Sequence, residues 1–405
     1  MSKLSGKKNI NGIILLFAAT YMVSYITRTN YGAVISEMQT ATGFAKSLLS
    51  ISLTASFITY GAGQIVSGAF GDRVSPKKLV LWGLMATVVM NILIPLCNHP
   101  YQMIAVWALN GFAQSFMWPP MVKILAGVLS EEEYKNAITK VSWGSSIGTI
   151  VVYLASPLLI SAMGWKSVFL FAAGLGIVMI FAWNGCACDV KPERQAVEEV
   201  KGTQHSLFNP FFLCIMVVIM LQGMLRDGVT TWMPSYIAET YNLSNQVSIL
   251  TGGILPVFSI LCFQIATKMY TGGMRNLLSC AGLFFGIGAL STVGLVMFAG
   301  QGAGVSVMMF AVLIGCMNGA NLMLVCMLPP YFRKTGKIST VSGILNSCTY
   351  VGSAISTYGI AVVSDGFGWD VTIQIWLAVA VCAAVICFAW ANTGKRKKRM
   401  VHRYL

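Results

Sequence analysis

Long apolar runs, each about 20 residues or more, recur from one end of this chain to the other, and they leave few folds open. A run of that length crosses a bilayer as one helix. Inside the hydrocarbon every backbone N–H and C=O must find its partner within the protein, so only helices and closed barrels can span it. None of the runs shows the alternation of a barrel strand, so the expected class is an all-α membrane protein. Twelve transmembrane helices are expected, at about 11–36, 47–70, 78–97, 101–129, 137–162, 166–186, 208–238, 247–270, 276–299, 303–329, 338–363 and 370–392. Composition serves as a check: 56% of residues are hydrophobic and 10% charged, with a mean hydropathy of +0.72, outside the range of water-soluble domains.

A formal charge of +14 would suggest a nucleic-acid partner in a soluble protein, but the placement of the bases argues otherwise. With both termini taken as cytoplasmic, all but four of the 27 Lys and Arg residues fall in inside tails, loops and the central linker. Lys123 is counted there with the inside piece 123–140. The exceptions are Lys46 and Lys166, in outside loops, and Arg28 and Arg226, within spans. That asymmetry sets both termini in the cytoplasm, and a bacterial inner membrane is the expected location. The KRKKR run at 395–399 reads as a topology and anionic-lipid signal, with no nucleic-acid partner. The 11 cysteines are scattered, and the lone C-x-C of Cys186 and Cys188 reads as packing, so no metal is expected. The first apolar run lacks a small-residue cleavage site, so no cleavable signal is expected. No nucleophile–base pair is recognisable, so neither an enzyme nor a cofactor is expected.

One polar, charge-dense stretch, about 187–206, follows the sixth span and reads as a linker between two six-helix bundles, 1–186 and 207–405, the latter with the basic tail. Four matches support an internal repeat. Arg28 pairs with Arg226 at an offset of 198, Gln64 with Gln264 at 200, Gly164-Trp165 with Gly368-Trp369 at 204, and Pro119-Pro120 with Pro329-Pro330 at 210. Their order and slowly growing offset point to duplication, the plan of transporters built around a midplane site.

Arg28 and Arg226 are the feature to explain. A cation at the bilayer centre costs about 2.5–3.5 kcal/mol on insertion scales. A chain that carries this burden at matching places in both halves is expected to use the charges on an anion. Guanidinium suits that task because its fork of donors matches phosphate or carboxylate oxygens and stays charged. The plainer reading, structural pairing with a buried acid, rests on Asp227, which as a neighbour on the helix is expected to point about 100° away from Arg226.

A more specific signal is the loop Gly68-Ala-Phe-Gly-Asp72-Arg73-Val-Ser-Pro-Lys77-Lys78, which resembles the G-x-x-x-D-R-x-x-x-K-K loop of the major facilitator superfamily. Within it the chain is similar to the organophosphate:inorganic phosphate antiporters, which carry glycerol 3-phosphate or hexose phosphates. The resemblance is carried by Tyr25-x-x-Arg28-x-Asn30, by Trp118-Pro119-Pro120, by Leu225-Arg226-x-Gly228-x-x-x-Trp232-x-Pro234 and by Asp365-x-x-Gly368-Trp369-Asp370. It implies the major facilitator fold, two pseudo-symmetric six-helix bundles, and assigns Arg28 and Arg226 to the substrate phosphate. It also implies gating by Asp72, Arg73, Lys77 and Lys78, as an acid and bases that latch in one state and release in the other. The chain departs from the family where some members carry two lysines and a histidine: the aligned positions here are Thr29, Gln64 and Ser145, and Asp227 replaces an aromatic residue.

Helical spacing places further polar residues beside the arginines. Tyr21, Ser24, Tyr25, Arg28, Tyr31 and Gly32 share one face of the first span, and Gln222, Arg226 and Thr230 one face of the seventh. Asn110, Gln114 and Trp118 line the fourth span, Ser142, Ser145, Ser146 and Thr149 the fifth, and Asn346, Thr349, Tyr350 and Ser353 the eleventh. The substrate-binding candidates are Arg28, Arg226, Tyr25, Trp118, Gln64, Ser145, Asp227, Asn346 and Tyr350. The expected function is a monomeric secondary transporter of a small organic anion, an organophosphate exchanged for inorganic phosphate by alternating access. Two uncompensated arginines would resist closure without an anion, so exchange is expected. Two alternatives stay open: a proton-coupled symporter of a carboxylate or phosphonate using Asp227, and a transporter-like sensor of organophosphate.

Overall fold

A computed structural model of the chain describes residues 7–44, 46–190, 210–243, 251–274, 276–298, 301–335 and 337–396, and all regular structure among them is helical. The helices are α1 (Lys7–Thr42), α2 (Lys46–Arg73), α3 (Pro76–Leu93), α4 (Pro100–Gln114), α5 (Trp118–Val128), α6 (Glu131–Met163) and α7 (Lys166–Cys186), followed by α8 (Pro210–Tyr241), α9 (Leu255–Gly272), α10 (Leu277–Phe298), α11 (Ala303–Asn321) and α12 (Ile338–Arg396). Gly368, at φ 79°, breaks α12 where the last two expected spans meet. Residues 191–206 of the expected linker, 247–250 of the eighth span and 397–399 of the basic run lie outside the described residues.

Local sequence accounts for several boundaries. The Ser75 hydroxyl accepts from the Lys78 N–H, with Pro76 opening α3 where a missing N–H costs nothing. Ser130 and Glu133 form a reciprocal capping box at the start of α6, behind three glutamates that suit a helix N-terminus. Gly164, at φ 76°, ends that helix. The fourth expected span, 101–129, is divided. Pro119 and Pro120 have no N–H to offer the carbonyls four residues back, so Phe116 and Met117 tighten onto Ala113 and Gln114 instead, at 3.2 and 3.1 Å. The tenth span breaks at the matching place, where a π-helical turn over Leu322–Cys326 precedes Pro329 and Pro330.

Contacts divide the chain into two compact units, Met1–Ala196 with Phe332–Ser347, and Val197–Tyr331 with Cys348–Leu405. In this division Phe332–Ser347 groups with the first unit. In the first unit Tyr31, Trp107, Trp165 and Phe169 form an aromatic core, with the Tyr31 and Trp107 rings 4.9 Å apart. In the second, Phe310 packs edge-on against Tyr236 and Trp376.

Each unit is inside-out relative to a water-soluble domain. Asn30, Asn91, Asn110, Gln114 and Gln222 are fully buried, whereas Leu15, Leu158, Phe181, Leu290 and Met297 lie exposed. A surface of that kind calls for hydrocarbon around it. Among the described residues nine stretches are long and apolar enough to cross a membrane. The expected spans 47–70, 101–129 and 338–363 are not among them: two are rich in Ser, Thr and Gly, and the third is broken.

The small residues mark close crossings, and these repeat. A Cβ on Gly148 would strike the Met22 carbonyl where α6 crosses α1, and one on Gly352 would strike the Met220 carbonyl where α12 crosses α8. Met22 and Met220 are 198 residues apart, the offset of the two arginines. The duplication read from sequence is thus repeated in the backbone crossing of each unit.

Candidate functional site

In the first unit, Arg28 projects from the half-exposed side of α1. Its guanidinium carbon lies 4.2 Å from the centroid of the Tyr25 ring and 4.6 Å from that of Tyr60 on α2. Neutral rings hold the cation by their negative faces without consuming an N–H donor, an attraction of about 0.5–2 kcal/mol each. The aromatic row continues: Tyr25 meets Tyr21 edge-on at 5.1 Å, and Tyr21 meets Trp118 at 4.7 Å. Tyr60 was not singled out from sequence. It stands one turn before Gln64 on the same face of α2, and that spacing was the available signal.

One turn before Arg28, a buried polar bridge fixes the helix. Ser24 Oγ donates to Gln114 Oε1 at 2.6 Å, and Gln114 Nε2 donates to Thr27 Oγ1 at 2.8 Å. Asn110 and Asn91 donate to the Thr27 carbonyl. Ser24, Asn110 and Gln114, which helical spacing places on the polar faces of their spans, are therefore packing groups joining α1 to its neighbours. Tyr31 leaves that face too: it is fully buried in the aromatic core and donates to Ser52. Successive turns of one nominal face thus meet different partners.

The second unit repeats the bridge with different residues. Gln222 Nε2 donates to the Met317 carbonyl, and Asn321 Nδ2 lies 3.3 Å from Gln222 Oε1. Gln222 occupies the position of Ser24, again one turn before the arginine.

Arg226 itself departs from expectation. Asp227 does not point away: Arg226 Nε donates to Oδ1 at 2.7 Å and Nη2 to Oδ2 at 2.9 Å. The long arginine side chain swings back to present its fork to both carboxylate oxygens, a freedom that backbone spacing does not reveal. Ser353 Oγ on α12 lies 2.5 Å from Asp227 Oδ2. That contact is possible because α8 and α12 touch through Gly223 and Gly352. Thr230 turns its hydroxyl to the Arg226 carbonyl.

The other candidates are placed variously. Trp118 is buried against Tyr21. Gln64 is fully buried, and neither its oxygen nor its nitrogen has a hydrogen-bond partner among the described residues. Ser145 is half-buried and donates to the Ser142 carbonyl. Asn346 belongs with the first unit and Tyr350 with the second, because α12 passes from one to the other between Ser347 and Cys348.

Asp72 sits in the first unit at the start of α12. Its Oδ1 accepts from the Ser339 N–H at 3.1 Å, and its Oδ2 from the N–H and hydroxyl of Thr340 at 2.8 and 2.6 Å. These are first-turn donors that the helix itself cannot satisfy. The base on Asp72 is Lys123, at 3.3 Å, which also donates to the Gly71 carbonyl. Lys123 is a correction to its sequence placement: it is buried inside α5, not part of an inside loop. Lys77 donates to the Asn184 carbonyl, the Lys78 backbone N–H donates to the capping Ser75 hydroxyl, and Arg73 and Lys78 are exposed. At the end of α7, burial raises the Cys188 thiol above its ordinary range, which fits packing better than reactivity.

A family model described as the Major Facilitator Superfamily matches residues 17–357. The chain is 22% identical to a probable hexose phosphate transport protein of Chlamydia muridarum, over 95% of this chain and 91% of that protein. It is 24% identical to a glycerol-3-phosphate transporter of Bacillus subtilis, over 94% and 92%. It is also 22% identical to the membrane sensor protein UhpC of Salmonella typhimurium, over 94% and 91%. Among solved structures the fold matches the proton:xylose symporter XylE with a TM-score of 0.78 at 12% identity, covering 94% of this chain and 96% of that one.

Proposed function

We propose that this chain, which belongs to the Major Facilitator Superfamily, carries a small phosphorylated organic anion by alternating access, exchanging it for inorganic phosphate through Arg28 and Arg226. The observation that carries the reading is the setting of Arg28. Its charge lies over the rings of Tyr25 and Tyr60, whose faces steady the guanidinium, and its planar fork of donors matches the oxygens of an oxyanion. The buried bridges one turn before each arginine support it, since they fix the helix from which the guanidinium reaches. Relatives that are named as hexose phosphate and glycerol-3-phosphate transporters supply the substrate class.

In this reading the anion meets an arginine from each half during the cycle, and Trp118, Gln64, Ser145, Asn346 and Tyr350 shape the path. Asp72, with Lys123, ties the start of α12 when the cytoplasmic side is closed and releases it on opening. The bias of basic residues supports cytoplasmic termini in a bacterial inner membrane.

The test combines transport and binding. Proteoliposomes loaded with inorganic phosphate should take up labelled glycerol 3-phosphate or glucose 6-phosphate. Arg28→Lys keeps the charge and loses the fork, so phosphate-ester stabilisation in a thermal-shift assay should fall by about tenfold in apparent affinity. An Arg28→Lys protein that binds every ester as the wild type does would defeat the arginine reading. Ester binding without any uptake would favour a sensor, the role named for the UhpC relative.

A further inference from the structure

We infer that Asp227 is a built-in stand-in for the transported anion, occupying the Arg226 fork when the site is empty, so that exchange is permitted but not obligatory. The inference rests on the anion-carrier reading above and concerns the second unit alone. The pairing is fork to fork, through Nε and Nη2 on both carboxylate oxygens, which is the geometry a guanidinium uses for a phosphate. Neighbours in sequence on one helix cannot brace that helix against another, so the Arg226 half of this contact adds little to packing. The pair is also open to displacement: the side chains of Arg226 and Asp227 keep 15% and 30% of their surface exposed.

Ser353 supplies the return mechanism. Its hydroxyl lies 2.5 Å from Asp227 Oδ2 and has the Thr349 carbonyl as a second acceptor at 2.9 Å. An arriving oxyanion takes the Arg226 donors, and Asp227 stays tethered to α12 through Ser353. When the anion leaves, the carboxylate swings back by side-chain rotation alone, since the glycine contacts hold α8 and α12 together. Obligatory exchange requires an uncompensated cation in the empty carrier. Here the empty second unit carries its own counter-charge, and the part of that barrier due to Arg226 is removed.

The experiment reads the ratio of net efflux to exchange. Proteoliposomes loaded with labelled inorganic phosphate, their potential clamped with potassium and valinomycin, are diluted into anion-free or phosphate-containing buffer. Wild-type protein should release label into anion-free buffer within about tenfold of its exchange rate, and Asp227→Asn should lower that ratio by about tenfold or more. Release that occurs only against external phosphate in the wild type overturns the inference, whatever the variant does. A second readout is independent of turnover: titration of inorganic phosphate into detergent-solubilised protein should show Asp227→Asn binding about tenfold more tightly, because its competitor is gone. Equal or weaker binding by the variant also overturns it. If wild-type protein moves neither phosphate nor esters in any mode, the carrier reading fails, and the titration still decides the role of Asp227.

Discussion

Replacing Asp72 with asparagine tests the tie between α2 and the start of α12. The carboxylate accepts three hydrogen bonds from Ser339 and Thr340 and pairs with Lys123, with side-chain exposures of only 11% for Asp72 and 9% for Lys123. Asparagine keeps the shape and one acceptor but not the charge. Hydrogen bonds to a charged acceptor contribute about 1.5–3 kcal/mol each, and removing one partner of a buried pair costs about 3–5 kcal/mol because the other charge is orphaned. Lys123 retains the Gly71 carbonyl, and the substituted amide oxygen keeps part of the acceptor role, so a net loss of about 3 kcal/mol is expected. For a unit of this size that corresponds to a fall in Tm of about 6–12 °C. Tryptophan fluorescence on heating the protein in detergent measures it. The stronger check is a double-mutant cycle with Lys123→Met, which removes the orphaned charge. The double variant should lose less than the sum of the single losses, by about 1.5 kcal/mol or more. A Tm for Asp72→Asn within about 2 °C of wild type, or strict additivity in the cycle, would refute the reasoning.

Two further substitutions probe the arginine setting and the helix crossing. Tyr60→Leu removes one ring from beneath Arg28 and should weaken phosphate binding by about threefold to tenfold in titration, whereas Tyr60→Phe, which keeps the ring, should lose less. Equal binding by Tyr60→Leu and wild type would show that the ring does not prepare the cation. Gly352→Ala drives a methyl group into the Met220 carbonyl and should lower stability by about 1–3 kcal/mol, seen as reduced monodisperse yield and Tm. Gly359→Ala, with open space around it, serves as the control and should be neutral or mildly stabilising.

One dimension is enough to settle the solvent, the class and the repeat. Long apolar runs admit little besides membrane helices, the loop from Gly68 to Lys78 carries a family pattern, and offsets near 198 align two halves that cross helices at Met22 and Met220 alike. The same string of letters singles out Arg28 and Arg226, because a cation in an apolar run stands out without any coordinates. Partnership is what it could not decide. Whether Ser24, Gln114 and Gln222 face a cavity or a neighbouring helix depends on which helices pack together, and periodicity does not encode that. Lys123 near the end of a long run looks like a loop base until α5 buries it on Asp72. Tyr60 shares a face of α2 with Gln64, but that its ring meets Arg28 on another helix is decided only by packing. Asp227 shows the same limit at its smallest scale. Backbone geometry separates neighbours by about 100°, yet the arginine side chain is long enough to cancel that angle, and the packing of α8 on α12, with Ser353 alongside, decides where its fork comes to rest.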